Sequence, residues 1–287
     1  FLRLKDTYLL DNYSINFNGN LLSLKKPVVM SILNTTPDSF FDGGKYNSID
    51  KALKKVETDL TQGATIIDIG GYSTKPNGNS VEVDEEIRRT IPYIEKIATT
   101  FPNINISIDT FRGRIAALAI DAGAGMINDI SAWNMDNQML ETIRKYNLPY
   151  VLMHMKGQPK DMQQNPKYKN VTKEVIKFLS EKLNKLNSYG INDVIIDPGF
   201  GFGKTISDNY KLLKNIELLK VLKVPILAGI SRKSMVYKLL KVNKLNSING
   251  TTALNMYALS KGANILRVHD VKQAMECIYL NEEINSK

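Results

Sequence analysis

The segment Ile195-Ile196-Asp197-Pro198-Gly199-Phe200-Gly201-Phe202-Gly203-Lys204 couples an apolar run to a carboxylate and a glycine-rich loop. Its spacing matches neither G-x-G-x-x-G nor G-x-x-x-x-G-K-[ST], which sets aside the dinucleotide and P-loop readings. An ionised carboxylate can accept paired N–H bonds from a flat heterocycle, and Phe202 can cover an aromatic partner. Taken alone, Asp197 also fits a capped structural turn, but such a turn leaves the loop phenylalanines unexplained. Asp109 and Asn128-Asp129 end two neighbouring apolar runs. A carboxylate and an amide placed there could read donor and acceptor edges of one fused ring, although each singly also fits a helix cap.

A second set of residues suits anions. Ser231-Arg232-Lys233-Ser234 follows a predicted strand and opens a predicted helix, where backbone N–H groups and the helix dipole favour a carboxylate or phosphate. Arg267 and His269 flank Val268, so the period of two aims both to one side. Two such donors at a strand end suit a pyrophosphate, whereas a histidine such as His269 by itself more often has a structural role. His154 is assigned to a pocket wall or to structure, because no Ser or Cys nucleophile motif accompanies it. The absence of a His/Cys ligand cluster excludes a zinc site of the usual form. Asn34 could bind a magnesium ion only within a shell completed by substrate phosphates and water.

These residues need a scaffold that brings distant chain segments to one place. Eight short β-branched runs each end in polar or glycine residues: 28–33, 65–69, 105–108, 126–128, 150–153, 194–196, 226–229 and 264–268. Helical periodicity fills the intervals, at about 49–62, 83–98, 113–122, 136–146, 171–189, 208–219, 234–242 and 250–261, with a last helix near 271–284. That alternation predicts a (β/α)8 TIM barrel, whose strand C-termini form the active-site rim. Gly63, Gly123, Gly190 and Gly262 each sit between a helical stretch and a strand, as helix-terminating glycines do. Ahead of the barrel, Ser14-Ile15-Asn16-Phe17, the turn Asn18-Gly19 and Leu21-Leu22 predict an N-terminal β-hairpin capping the barrel bottom. With no linker or longer repeat, residues 1–287 read as one domain, of which 1–26 are the lead hairpin.

Composition narrows the class. The 287 residues are 43% hydrophobic and 23% charged, as in a globular protein with a large core. No apolar run is long enough to span a bilayer, and the start lacks a secretory pattern, so no membrane association is expected. The net charge of +9 comes largely from lysines scattered along amphipathic helices, as in Lys211-Leu212-Leu213-Lys214. No zinc-finger or RNP signature accompanies it, so no nucleic-acid partner is expected, and an anionic small molecule remains open. The single Cys277 excludes an internal disulfide framework and fits a cytoplasmic location.

With these residues in place, the chain resembles the dihydropteroate synthase family across nearly all of residues 27–285. The resemblance is carried by Met30 to Gly44, Ile67-Asp68-Ile69-Gly70-Gly71-Tyr72-Ser73-Thr74-Lys75-Pro76, Ser107-Ile108-Asp109-Thr110 and Ile127-Asn128-Asp129-Ile130. Leu152-Met153-His154-Met155, the Asp197–Lys204 segment, Ser231-Arg232-Lys233-Ser234 and Arg267-Val268-His269-Asp270-Val271 complete it. It implies condensation of 6-hydroxymethyl-7,8-dihydropterin pyrophosphate with p-aminobenzoate, giving dihydropteroate and pyrophosphate. By the same resemblance Asp109, Asn128, Ile130, Met153, Asp197 and Lys233 would hold the pterin. Asn34 would meet Mg²⁺ as the cofactor, and Asn34, Thr74, Arg267 and His269 would surround the pyrophosphate. Phe40, Thr74, Lys75, Pro76, Phe202, Ser231 and Ser234 would surround p-aminobenzoate. Asp42, Arg267, His269 and Lys233 would act in catalysis, and a homodimer formed through barrel-wall helices is implied.

Two departures stand out. The family commonly has Glu-Ser-Thr-Arg-Pro-Gly where this chain has Tyr72-Ser73-Thr74-Lys75-Pro76-Asn77. Lysine keeps the charge of arginine but loses its planar, stacking fork. Tyr72 and Lys75 alter the loop on which sulfonamide discrimination would depend. Tyr237 replaces a usual glycine after the Ser-Arg-Lys-Ser turn. Mechanistically, an arylamine is neutral at pH 7 and needs no general base, which agrees with the two histidines in the chain. The barrier then lies in leaving-group departure, and an S_N1-like displacement with Asp42 as counter-charge is expected. Two readings share the fold: a methyltetrahydrofolate-dependent methyltransferase barrel and a catalytically silent pterin-binding module. Arg267-Val268-His269 and the Asp38 to Gly44 loop argue against the first, and the completeness of the two loop motifs, Asp38 to Gly44 and Tyr72 to Pro76, argues against the second.

Overall fold

The computed structural model describes residues 13–36, 48–72, 81–159 and 161–286. A hairpin of β1 (Ser14–Phe17) and β2 (Asn20–Ser23) precedes eight parallel strands: β3 (Val28–Asn34), β4 (Ile66–Gly70), β5 (Asn105–Asp109), β6 (Met126–Asp129), β7 (Tyr150–Met153), β8 (Val194–Asp197), β9 (Leu227–Ala228) and β10 (Ile265–Val268). The strand order is β8-β7-β6-β5-β4-β3-β10-β9, and a single parallel bridge between Ile196 and Ile226 joins the two ends into a barrel. Helices α1 (Ser48–Thr61), α2 (Val83–Thr100), α3 (Gly113–Asp121), α4 (Gln138–Tyr146), α5 (Val171–Ser188), α6 (Ile206–Lys214), α7 (Ser234–Tyr237), α8 (Ile248–Ser260) and α9 (Val271–Asn285) follow the strands in turn. The expected (β/α)8 architecture is therefore present.

Strand periodicity divides the side chains into two layers. Ile67, Ile69, Ile106, Ile108, Ile127, Leu152, Ile196 and Leu266 point outward into the principal core, against the helices. Met30, Ile66, Met126, Val151, Ile195, Leu227 and Ile265 point inward and form a separate cluster with Ile15, Phe17 and Leu24 of the hairpin region. The hairpin thus plugs the barrel bottom, as its sequence predicts. Its turn has Asn18 and Gly19 both at positive φ (49° and 86°), the geometry Asn-Gly favours between two twisted strands. Residues 1–12 of the expected lead segment lie outside the described residues.

Two predicted helices are shorter than their patterns. The stretch 208–219 becomes α6 followed by a 3₁₀ segment, Ile216–Leu222, because Asn215 leaves helical geometry (φ −108°, ψ 18°). The stretch 234–242 holds only the one-turn α7, and Lys241 turns left-handed at φ 54°. Leu239 and Leu240 continue the amphipathic pattern there but remain exposed, so no buried stripe extends the helix. Among the described residues no helix is long and apolar enough to cross a membrane.

Candidate functional site

The inward layer changes character at the rim. Two residues beyond the apolar inward positions Ile66, Met126, Ile195 and Ile265 stand Asp68, Asn128, Asp197 and Arg267, while Asp109 follows the inward Ser107. The period of two therefore raises each polar side chain directly above a packed floor. Asp109 and Asn128 are register partners on neighbouring strands, as required for one carboxylate and one amide to face the same ring. Asp129, one residue later, points the other way: its carboxylate accepts from Ser131 N, Trp133 N (each 2.7 Å) and Tyr150 Oη (2.8 Å). Of the adjacent pair, Asn128 faces the site and Asp129 builds structure.

Arg267 organises one side of the rim. Its Nε donates to Asp68 Oδ2 at 2.6 Å and its Nη2 to Asp109 Oδ2 at 2.5 Å, while Asn128 Nδ2 also donates to Asp68 Oδ2 at 2.9 Å. Asp68 ties Arg267 and Asn128 together, yet the sequence reading gave it no role. A lone carboxylate in the apolar run Ile66-Ile67-Asp68-Ile69 was the available signal. Its Oδ1 and Ser107 Oγ, on register-paired residues, are buried without a hydrogen-bond partner. Two carboxylates share one guanidinium here. Burial, then the charges of Asp68, Glu86 and Asp129, push the Asp109 carboxyl up to about 7, against the pull of Arg267. Burial opposes the charge of Arg267 as well, but Asp68 and Asp109 outweigh it and hold its pKa above the ordinary value.

Across the barrel, Asp197 Oδ1 accepts from Gly199 N at 2.7 Å. A Cβ built on Gly229 would lie 3.7 Å from both Asp197 Oδ2 and Lys233 Nζ, so the two charged groups reach over the same glycine. Burial raises the Asp197 pKa despite Lys233, and burial lowers Lys233 to about 8 despite Asp197. Lys233 donates to Phe200 O, and its ammonium lies 4.7 Å from the centre of the Phe202 ring. Phe111, Ile130 and Met153 form a small apolar cluster beside these groups, with Tyr72, Met135, Met155 and Phe202 packed against it. Tyr72, the residue in place of the family's glutamate, meets the Phe111 ring edge-on at 5.2 Å, under the Arg112 guanidinium.

The expected anion end differs from its prediction in one respect. Arg232 is engaged by Asp270 through both Nε (3.0 Å) and Nη2, and α7 is a single turn. The macrodipole of a full helix is therefore not available behind Ser234, which leaves single N–H groups and Lys233 as the local donors. Ser231 Oγ accepts from His269 N at 3.2 Å, joining the seventh and eighth barrel strands at the rim. Burial first, then Arg232, Arg267 and Lys244, lowers His269 to about 3, so its ring is neutral near pH 7. His154, expected as pocket wall or structure, is buried with Lys204 bonded to its Nδ1 at 2.9 Å. Asn34 ends β3 and is register-paired with Gly70, partly exposed at the rim. Among the described residues no three His, Cys, Asp or Glu side chains are arranged to hold a metal. Phe40, Asp42, Thr74, Lys75 and Pro76 lie outside the described residues.

Comparison with known proteins agrees with this geometry. The model of a family described as "Pterin binding enzyme" matches residues 30–269. The dihydropteroate synthase of Haemophilus influenzae is 46% identical over 256 residues, 88% of this chain and 92% of that protein. A Yersinia pestis dihydropteroate synthase solved as a sulfonamide drug complex superposes with a TM-score of 0.90 at 40% identity, covering 96% of this chain and 100% of its own. The Xanthomonas albilineans enzyme in complex with 7,8-dihydropteroate gives a TM-score of 0.87 at 36% identity, again covering 96% of this chain and 100% of its own.

Proposed function

The chain belongs to the pterin-binding enzymes, among the dihydropteroate synthases, and from that premise we propose how its rim joins 6-hydroxymethyl-7,8-dihydropterin pyrophosphate to p-aminobenzoate. The observation that carries the reading is the in-register Asp109–Asn128 pair beside Arg267, facing Asp197 and Lys233 across an apolar floor. Asp109, Asn128, Asp197 and Lys233 match the hydrogen-bonding edges of a pterin, with Ile130 and Met153 against its faces. Arg267 has Nε and Nη2 engaged, and its remaining N–H bonds, with the neutral N–H of His269, suit the pyrophosphate. Phe202, Ser231 and Ser234 border the place left for p-aminobenzoate. The roles of Phe40, Asp42, Thr74, Lys75 and Pro76 rest on the resemblance alone.

In the reaction, the bond between the pterin methylene and the pyrophosphate oxygen breaks, its electron pair leaving with pyrophosphate. The arylamine nitrogen supplies the pair for the new C–N bond and then loses a proton to solvent. An electron-rich dihydropterin favours departure before attack, an S_N1-like course. Arg267 and His269 stabilise the charge that develops on the leaving group. Mg²⁺ would fit Asn34 as a single neutral oxygen donor at a rim position, since this ion keeps several waters and takes the rest of its shell from phosphates. Bound there, it would offset charge on the departing pyrophosphate.

The test is direct: protein, Mg²⁺, the pterin pyrophosphate and p-aminobenzoate are mixed and dihydropteroate is sought; no product sinks the reading. Pyrophosphate release without p-aminobenzoate supports the S_N1-like course, and strict dependence of the chemical step on arylamine concentration overturns it. A homodimer is proposed as well, supported by exposed apolar residues on the wall helices, Tyr279, Leu280 and Ile284 of α9 among them. A monomer mass by light scattering at micromolar concentration would remove it. The cytoplasmic assignment rests on the lone Cys277, and detection of the protein outside the cytoplasm would remove that.

A further inference from the structure

Lys204 ends the glycine-rich segment, and the catalytic reading leaves it without a task. It is 2% exposed, and its four acceptors are all neutral: His154 Nδ1 (2.9 Å), His154 O (3.3 Å), Gly199 O (2.8 Å) and Phe202 O (3.1 Å). Burial holds the Lys204 pKa well below its ordinary value despite the charge of Asp197, and methionine would fill a similar volume without burying an amine. The hydrogen bonds must therefore offset the burial, and they converge on two elements: the loop 199–203 and the exit of β7. His154 is suited to accept. Burial, with Lys204 beside it, lowers its pKa to about 2, which keeps the ring neutral, and its ring stands edge-on to Phe178 at 5.0 Å.

The loop is fitted to that exit with little freedom. A Cβ on Gly199 would come within 1.9 Å of His154 O, and one on Gly203 within 2.1 Å of Lys156 O. Carbonyls and rings of the same loop hold the reacting side: Phe200 O accepts from Lys233, and the Phe202 ring lies under the Lys233 ammonium. We propose that Lys204, bonded to His154, is a positioning residue that fixes loop 199–203 and thereby places Lys233 and Phe202 at the two-substrate junction. Lys204 acts through these neighbours and touches neither substrate. The inference deepens the proposed dihydropteroate synthesis and rests on it.

Steady-state kinetics of the full chain test it, with each substrate varied in turn. Lys204→Met is expected to raise the KM for p-aminobenzoate about tenfold and that for the pterin pyrophosphate less, because the charge of Asp197 still attracts Lys233. His154→Leu should do the same, while His154→Asn, which returns an acceptor oxygen near the Nδ1 position, should restore KM toward wild type. A purely structural role predicts something else: a lower melting temperature and a smaller active fraction, reducing apparent kcat with both KM values unchanged. That result in any folded variant overturns the proposal. If Lys204→Met does not fold, the two His154 variants decide. A wild-type chain that makes no dihydropteroate removes the catalytic reading and this inference together, whereas an active wild type with unshifted variants removes this inference alone.

Discussion

Asp109 stands in an unbalanced environment, one of two carboxylates placed around one guanidinium in a desolvated rim. The folded chain holds its proton up to about pH 7, where the unfolded chain has lost it near 3.8. Stability from this group is thus full below 3.8 and is lost as pH rises toward 7. A pterin donating N–H bonds to Asp109 favours the carboxylate, so binding at pH 6 should release protons. Calorimetry in buffers of different ionisation enthalpy measures this, and Asp109→Asn should abolish it; binding without proton release would remove the assignment. Asp197→Asn should weaken pterin binding at least tenfold, consistent with about 1.5–3 kcal/mol for a hydrogen bond to a charged group. Unchanged affinity would contradict the pterin contact. Alternation made Asp109, Asn128, Asp197 and Arg267 legible in the sequence, because each takes an inward position at, or one residue before, the end of an apolar strand. Asp68 was not, since its partner Arg267 lies 199 residues away and no local pattern links them.

Elements were legible wherever periodicity and burial coincide. The eight strands and most helices fall within a few residues of their predicted limits, and Gly63, Gly123, Gly190 and Gly262 all take positive φ. Prediction stopped at α7, where the apolar pattern runs on but Leu239 and Leu240 find no core to enter. The glycine loop shows the same limit: its composition was plain, but its seating against β7 is a tertiary fact. A pair of substitutions separates backbone conformation from close approach. Gly190 (φ 77°) has nothing within 4 Å of a built Cβ, so Gly190→Ala should cost about 1–2 kcal/mol, the left-handed penalty alone. Gly199 (φ 70°) adds a Cβ contact with His154 O, so Gly199→Ala should cost clearly more and also raise KM. Equal effects in chemical denaturation would mean that the loop yields without strain.

At the scale of the whole molecule, floor and rim are separate layers of one barrel. Phe17 is 2% exposed in the lower cluster, remote in sequence from every rim residue. Phe17→Ala should therefore destabilise the fold by about 3–5 kcal/mol, read as a lower melting temperature, and leave both KM values near wild type. A selective rise in one KM would show that floor and rim are coupled. The plug was readable in advance, because Asn18-Gly19 sets a turn and Ile15 and Phe17 share one face. The bridge between Ile196 and Ile226 that closes the sheet was not, as it depends on how far the twist carries β8 toward β9. The hairpin plug also makes the barrel a vessel with one mouth. Whatever lies deepest must arrive first and leave last, so the pterin, which the proposed contacts put nearer the floor than the arylamine, should set a compulsory queue. Product-inhibition patterns of a sequential ordered scheme, with the pterin pyrophosphate leading, are the expected signature, and random-order kinetics would show that the mouth admits both at once.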